Sequence, residues 1–384
     1  MPPCLPPLAT TMVGSWPRPP DLLRAQRAKR AGELSEADFE ARADDAVREV
    51  LRVQEACGLD LVTDGEQRRD SFFSFVAERL DGVRLMTLAE MLEIVEDKAA
   101  FERILRTLDV PSYSISNATC VGPVRRTRPL AVHEARFVRQ HTDRPVKVAL
   151  PGPYLMTRAM FVREACRNAY ETKEALGEDV VRVLREEITE LLAAGALFIQ
   201  LDEPVLTEVV FTQGNVRTFM CAALAAGKDP AEELAFASSL VQRVLQGIDA
   251  ASFGARIGLH VCRGNWSRDE STLLRGSYAP LAACLQAMPV DQLVLEHATP
   301  RAGDLVAFPG KELGLGVVNP RTDRVESLGE IRARIEQALR LFPKERLFVN
   351  PDCGFATFSQ RPVGAPDIAR RKLEAMTTAA RSLR

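Results

Sequence analysis

His260-Val-Cys262 places an imidazole and a thiol two positions apart at the end of the apolar run Ile257-Gly-Leu259. In an extended strand, residues i and i+2 project to one face, so both donors point the same way. A nitrogen and a sulfur on one face suit zinc, which takes borderline and soft donors in a tetrahedron. A further thiol, Cys353, stands in Asn350-Pro-Asp-Cys-Gly354, a turn that ends the apolar run Leu347-Phe-Val349. Glu296 ends Leu293-Val-Leu295, between the other two in the chain. Three strand ends thus offer a His/Cys pair, a carboxylate and a Cys, which reads as a zinc site of His260, Cys262, Glu296 and Cys353. For the pair alone, the alternative is a buried histidine packed on a buried cysteine. For Glu296 the alternatives are an ion pair or a contact to a substrate amine. His297 would face the other way and support the site or pack.

The chemistry such a site serves is thiol activation. A free thiol is mostly protonated near neutral pH and attacks poorly, whereas zinc coordination removes the proton and positions the sulfur. Two thiolates on the metal keep a bound substrate sulfur nucleophilic toward a methyl or alkyl group. The incoming thiolate would displace the weakest ligand, Glu296, or take an open position.

These donors need strand ends gathered at one place. The chain alternates short apolar runs with longer amphipathic stretches, the rhythm of βα repetition with parallel strands. Candidate strands are 11–16, 59–66, 115–121, 146–150, 197–202, 256–262, 293–297, 313–318 and 347–352, one more than an eight-stranded barrel needs. The surplus falls in 113–132, where Val-Gly-Pro-Val-Arg-Arg-Thr-Arg-Pro reads as a turn between extended stretches and predicts a β-hairpin insertion. Ser35-Glu-Ala-Asp38 is a capping box opening a helix with Phe39, Ala43, Val47, Val50 and Leu51 on one face, ending near Gly58. Further helices are predicted over 178–194, with Gly195 as the stop, and over 234–248, 328–341 and 365–383. No linker or repeat divides the chain, so residues 1–384 read as a single (β/α)8 TIM barrel of the α/β class with a β-hairpin insertion. In that fold, catalytic groups sit at the C-terminal ends of strands, where these donors fall.

With 46% hydrophobic and 27% charged residues, the chain has material for a substantial core. Fifty Lys plus Arg against 52 Asp plus Glu, interspersed, give a net charge of -2, which advertises neither a nucleic-acid nor a membrane surface. The N-terminus lacks the pattern of a signal peptide, and the longest nearly apolar run, 191–199, is far short of a span, so a soluble, cytoplasmic monomer or homodimer is expected. Eight cysteines without a secretion signal argue for reduced thiols. Cys57, Cys166, Cys221 and Cys284 lie in helical patterns and read as buried packing residues; Cys262 and Cys353 do not.

Six stretches in order, Thr11-Met-Val-Gly-Ser-Trp-Pro-Arg-Pro19, Thr63-Asp-Gly-Glu66, Leu150-Pro-Gly-Pro153, Ile199-Gln-Leu-Asp-Glu-Pro204, His260-Val-Cys262 and Val349-Asn-Pro-Asp-Cys-Gly354, resemble the successive motifs of the catalytic half of cobalamin-independent methionine synthase. The resemblance runs from about residue 9 to the C-terminus. It implies a zinc-bearing (β/α)8 barrel that methylates the sulfur of homocysteine to give methionine. His260, Cys262, Glu296 and Cys353 then match zinc ligands, Asp202 matches the carboxylate that holds the homocysteine amine, and Glu66 matches a second acidic contact. Ser15 with the backbone around Gly14 matches the substrate carboxylate site. The structural alternatives are a strand-end cap for Asp202 and a turn role for Ser15.

Three departures bear on the methyl donor. The long synthases carry a further N-terminal half that helps bind polyglutamylated folate, for which 384 residues leave no room. The family's folate-stacking tryptophan aligns with about Ala159, with Trp16 and Trp266 as candidate substitutes or core residues. Its proton-donating histidine aligns with about Arg321, a group that stabilises anions but does not give up a proton. These point to the shorter relatives, which take methyl from a methyl-corrinoid protein, or to epoxyalkane:coenzyme M transferases. Asp202 and Glu66 favour an ammonium over a sulfonate. A non-enzymatic metal- or ligand-binding barrel is the reading from another class.

Overall fold

The computed structural model describes residues 5–95, 98, 116–211, 229–265 and 267–384; Cys221, Trp266 and the start of the 113–132 stretch lie outside them. The core is one parallel sheet in the order β1 (Ala9–Thr10), β9 (Leu347–Pro351), β8 (Glu312–Val318), β7 (Gln292–Leu295), β6 (Arg256–Val261), β5 (Phe198–Asp202) and β4 (Lys147–Pro151). These strands are buried along nearly their whole length, as expected where helices cover one face and the barrel interior the other. Inside the barrel, the Phe198 and Phe348 rings lie 6.3 Å apart, and Gly258 leaves the room that Phe198 fills.

The predicted strand 59–66 supplies the eighth stave but is reduced to one parallel bridge, Val62 to Val146. The amides of Asp60 and Leu61 donate to the Thr10 carbonyl (3.0 and 3.1 Å), and on the other side Val62 donates to Pro145 and Lys147 to Val62 (3.0 and 2.8 Å). The ladder is thin because the Asp60 carboxylate accepts from both the amide and the hydroxyl of Thr10, each at 2.8 Å, where a strand neighbour would otherwise stand.

The predicted strand 11–16 lies beyond β1, because its carbonyls bond to side chains instead of a strand. Met12 accepts from Lys147 Nζ (2.8 Å), Val13 from Gln200 Nε2 (3.2 Å) and Gly14 from the Thr63 hydroxyl (3.0 Å). Residues 12–14 thus form a strap held by side chains.

The surplus strand belongs to a separate two-stranded antiparallel sheet of β2 (Leu80–Thr87) and β3 (Ser116–Arg126). The insertion therefore pairs with a segment before it, and Val121-Gly-Pro-Val124 is not its turn. Instead the pairing jumps between Asp81 and Val83, where Gly82 (φ 73°) approaches the Pro123 carbonyl too closely for any side chain. A bulge is where a strand tolerates a proline, which has no amide to donate.

The helices follow the sequence closely. Ser35 accepts from the Asp38 amide at 3.1 Å and opens Glu36–Ala56, which buries Phe39, Ala43, Val47, Val50 and Leu51. Lys173–Ala193 starts five residues before the expected 178 because Thr172 is its cap. Pro230–Leu245, Leu328–Ala338 and Pro366–Arg381 match the other three within a few residues. Among the described residues no helix is long and apolar enough to cross a membrane.

One buried ion pair fixes the turn after the eighth stave. Arg69, its amide bonded to the Glu66 carbonyl, donates to Glu134 from Nη2 (2.6 Å) and Nε (3.1 Å) and to the Ala149 carbonyl from Nη1 (2.8 Å). Both partners are 2% exposed, so neither can turn to water. Removing one partner of such a pair costs about 3–5 kcal/mol, because a buried charge is stranded. Glu134→Ala should therefore lower the unfolding free energy by that amount in urea titrations; a change under about 0.5 kcal/mol would show that the pair does not anchor the turn.

Candidate metal centre and cleft

His260 lies in β6 and Cys262 follows its last residue, so the two share the face that looks into the barrel mouth, while Cys353 sits two residues beyond β9. Their donor atoms all fall within 4.8 Å of one another and all three residues are buried. Cys353 Sγ is 3.5 Å from His260 Nε2. His260 Nδ1 is 3.0 Å from the Val294 carbonyl, which can only accept, so the ring proton is on Nδ1 and the Nε2 lone pair faces the thiols. Contact with Cys353 and the nearby imidazole hold the Cys262 thiol well below its usual range against the effect of burial, while the contact with Cys262 and burial push Cys353 well up. One imidazole nitrogen and two sulfurs this close, in a cleft, fit three protein ligands of a tetrahedral zinc with a fourth position left over.

Glu296 follows β7 and is not within that group. Its Oε1 accepts from the Arg263 amide, and its Oε2 accepts from Arg301 (2.7 Å) and Arg321 (3.5 Å), with the Arg263 guanidinium 3.8 Å away. Burial alone would raise its pKa, but Arg301, Arg321 and Arg263 outweigh it and keep the carboxylate ionised. Arg321 is fully buried among Glu296, Asp352, Glu270 and Asn265 and does not line the cleft. Asp352 accepts from the amides of His297 (2.9 Å) and Ala298 (2.8 Å), which ties the Cys353 turn to the end of β7. Sequence reasoning missed Arg263, Arg301 and Asp352 as parts of the site. Arg263 stands next to Cys262 and Asp352 next to Cys353, but Arg301 reaches Glu296 through a loop that no spacing rule indicates.

The three donors open into a cleft of about 600 Å³ counting its mouth, shared with Ser15, Glu66 and Asp202 and walled by Val13, Phe72, Val205 and Phe358. Glu66 has φ 55°, a left-handed conformation that costs a residue with a Cβ roughly 1–2 kcal/mol. Arg18 holds the turn, donating to the carbonyls of Glu66 (2.6 Å) and Arg69 (3.0 Å), and the Asp64 carboxylate accepts from the Glu66 amide at 3.0 Å. The turn aims the side chain at Gly14, where any Cβ would collide with Glu66 Oε1, while Glu66 Oε2 has no hydrogen-bond partner among the described residues. Burial pushes the Glu66 carboxyl up to about 7 against the pull of Arg69 and Arg18. Asp202 accepts from Gln200 Nε2 at 2.7 Å and is pushed up to about 6 by burial, against nearby His260.

Ser15 joins the strap to the Cys353 turn: its hydroxyl accepts from the Ala356 amide (3.3 Å), its carbonyl from Phe355 (3.0 Å), and Gly354 leaves room for its Oγ. Trp16 packs edge-on to Phe355 in the core, 5.8 Å between centroids. Ala159 is buried in the helix Pro153–Met160, with its carbonyl bonded to Asn117. The strand-end cap is Glu203, not Asp202. Its carboxylate accepts from the amides of Tyr154 (2.7 Å) and Leu155 (2.9 Å), at the start of that helix, and presses on Gly152, so the motifs at 150–153 and 199–204 interlock.

A carboxyl raised by burial binds its proton more tightly folded than unfolded, so it costs stability as pH climbs from about 4.5 to about 7 and adds no further cost above that. Glu66→Gln lacks that loss. Its stability relative to the wild type should grow across this window, by about 1.4 kcal/mol for each tenfold change in acidity, and then level off in urea unfolding at stepped pH. A constant difference from pH 4.5 to 7 would contradict a burial-dominated carboxyl.

The sequence profile described as "Cobalamin-independent synthase, Catalytic domain" matches residues 8–382. A methionine synthase from Pyrococcus abyssi is 29% identical over 99% of this chain and 94% of its own length. A 5-methyltetrahydropteroyltriglutamate–homocysteine methyltransferase from Streptomyces avermitilis is 31% identical over 99% of this chain but 43% of its own length. Among solved structures, a B12-independent methionine synthase from Shewanella sp. W3-18-1, in complex with selenomethionine, superposes with a TM-score of 0.71 at 24% identity, covering 98% of each chain, which shows a shared fold. With the profile match spanning nearly every residue, the chain belongs to the cobalamin-independent methionine synthase family, in the part that constitutes its catalytic domain.

Proposed function

We propose that this chain is a zinc-dependent methyltransferase that methylates the thiol of homocysteine to give methionine. The observation that carries the reading is the His260, Cys262 and Cys353 donor group opening into one cleft with Asp202, Glu66 and Ser15. Held by His260, Cys262 and Cys353, with Glu296 as fourth and most readily displaced ligand, zinc would take the place of the proton on a substrate thiol and keep the sulfur anionic near neutral pH.

The protein's own groups orient the substrate. Asp202 and Glu66 receive its ammonium, and the Ser15 hydroxyl with the backbone at Gly14 receives its carboxylate. Val13, Phe72, Val205 and Phe358 keep water from the sulfur, which leaves it weakly solvated and reactive. The sulfur attacks the methyl carbon in line, and the donor departs with the bonding electron pair. Arg321 holds Glu296 and Asp352 in place and stabilises anionic charge without supplying a proton. A donor whose leaving group needs no proton therefore suits the site, and buried Ala159 offers no ring on which a pterin could stack. Both features favour a methyl-corrinoid protein as donor over a polyglutamyl methylfolate. A sulfonate thiol such as coenzyme M fits poorly against two carboxylates.

Zinc-loaded protein given homocysteine should form methionine from methylcobalamin and little or none from methylfolates. Loss of groups that merely support a metal ligand costs about 10–100-fold, so Cys353→Ser should lower turnover at least about 100-fold and leave zinc substoichiometric. Full zinc and full turnover in that variant, or turnover with coenzyme M and never with homocysteine, would overturn the reading.

A further inference from the structure

A buried phenol interrupts the sheet between the strand that carries His260 and Cys262 and the strand that leads to Glu296. Val261 pairs with Leu295 across β6 and β7, so the next rung of the parallel ladder would join the Glu296 amide to the Val261 carbonyl. On the other side of β6 the matching rung is made, from the Glu203 amide to the His260 carbonyl at 2.8 Å. Toward β7 the Tyr278 hydroxyl stands in the rung instead: it donates to the Val261 carbonyl at 2.6 Å and accepts from the Glu296 amide at 3.2 Å. One phenol oxygen thus bridges the backbone between two metal donors and the backbone of the nearby carboxylate.

We propose that Tyr278 is a positioning residue: with its hydroxyl wedged between the ends of β6 and β7, it holds Glu296 back from the His260, Cys262 and Cys353 group, so that the carboxylate yields to an incoming thiol. The inference rests on the reading of Glu296 as the displaceable ligand. Three features of the geometry support it. First, the wedge is fixed. Tyr278 is fully buried, the Arg263 guanidinium lies 3.7 Å from its ring centroid, and Arg263 in turn donates to the carbonyls of Gly276 (2.7 Å) and Ala302 (3.0 Å). Second, the neighbouring carbonyls of the donor strand are held from the β5 side, His260 by the Glu203 amide and Cys262 by the Thr207 hydroxyl at 2.7 Å, so the phenol sets the gap on the β7 side. Third, Glu296 stands outside the donor group, with Arg301 at 2.7 Å from its carboxylate.

The hydroxyl does what a phenylalanine could not. Two hydrogen bonds through an oxygen span more than a direct N–H···O rung of about 2.9 Å, so the phenol keeps the two strand ends apart. A buried carbonyl and amide left facing each other without a partner would close into the direct rung, because each is costly to leave unpaired. That closure draws Glu296 toward Cys262, where its carboxylate would compete more strongly with a thiol for the metal.

The test needs no methyl donor and reads metal and thiol separately. Zinc affinity by chelator competition and homocysteine affinity by calorimetry are measured for the wild type, Tyr278→Phe, Glu296→Ala and the double variant. Tyr154→Phe is the control, since that phenol is also buried but bonds to Glu233 (2.7 Å) away from the cleft lining. Tyr278→Phe should hold zinc at least as tightly as the wild type and bind homocysteine about tenfold more weakly, the lower end of the range for groups that support a metal ligand. In the Glu296→Ala background the same change should make no difference, as expected when one residue acts through another. Tyr154→Phe should leave both affinities unchanged. If Tyr278→Phe does not fold, Tyr278→Met carries the same cycle. Weaker zinc binding, unchanged homocysteine affinity, an equal loss in Tyr154→Phe, or the same loss with and without Glu296 would each overturn the proposal and leave the assignment of Glu296 standing. A Glu296→Ala variant that matches the wild type in both affinities would instead overturn that assignment, and this proposal with it.

Discussion

Taking a charge out of water costs several kcal/mol unless partners replace the lost solvation, and the barrel mouth is organised around that cost. Most of its buried charges are answered. Glu296 has three arginines, Glu134 has Arg69, Glu203 has two helix amides, and Asp352 has two backbone amides and Arg321. The groups that line the cleft are answered less fully. Glu66 Oε2 is buried without a partner, Asp202 is raised by burial, and Cys262 and His260 face each other across a group with room for an ion. Among the described residues that line the cleft, Glu66 alone keeps a buried side-chain oxygen without a partner, and what binds there can supply one.

The same constraint explains the backbone. Glu66 is held in a left-handed conformation by Arg18 and Asp64, and the strap from Met12 to Ser15 leaves the sheet to be held by Lys147, Gln200 and Thr63. Backbone strain of this kind persists where surrounding contacts over-determine it, and it collects at functional sites. The strap also links the cleft floor to the Cys353 turn through Ser15 and Phe355, so the metal group and the proposed amino-acid site cannot shift independently.

Much of this was legible in the sequence because period and capping are local. The i, i+2 spacing of His260 and Cys262, the apolar runs before Glu296 and Cys353, and the Ser35 cap each carried their own position, and six of the barrel strands and five helices fall within about five residues of where those patterns put them. What escaped was non-local. The partner of β3 lies before it in the chain, so its Gly-Pro looked like a turn when it is a bulge. The strap looked like a strand because alternation cannot reveal that side chains, not a neighbour, take its carbonyls. The arginines around Glu296 come from three separate loops, and the spacing that exposed the thiol ligands says nothing about which carboxylate such cations will claim.

X-ray absorption at the zinc edge tests the central claim most directly, because it reads the ligand atoms themselves. The resting protein should show two sulfurs at about 2.3 Å with nitrogen or oxygen completing the shell, and homocysteine should add a third sulfur in exchange for a lighter atom. A shell without sulfur, or one that homocysteine leaves unchanged, would contradict a metal held by His260, Cys262 and Cys353 that activates the substrate thiol.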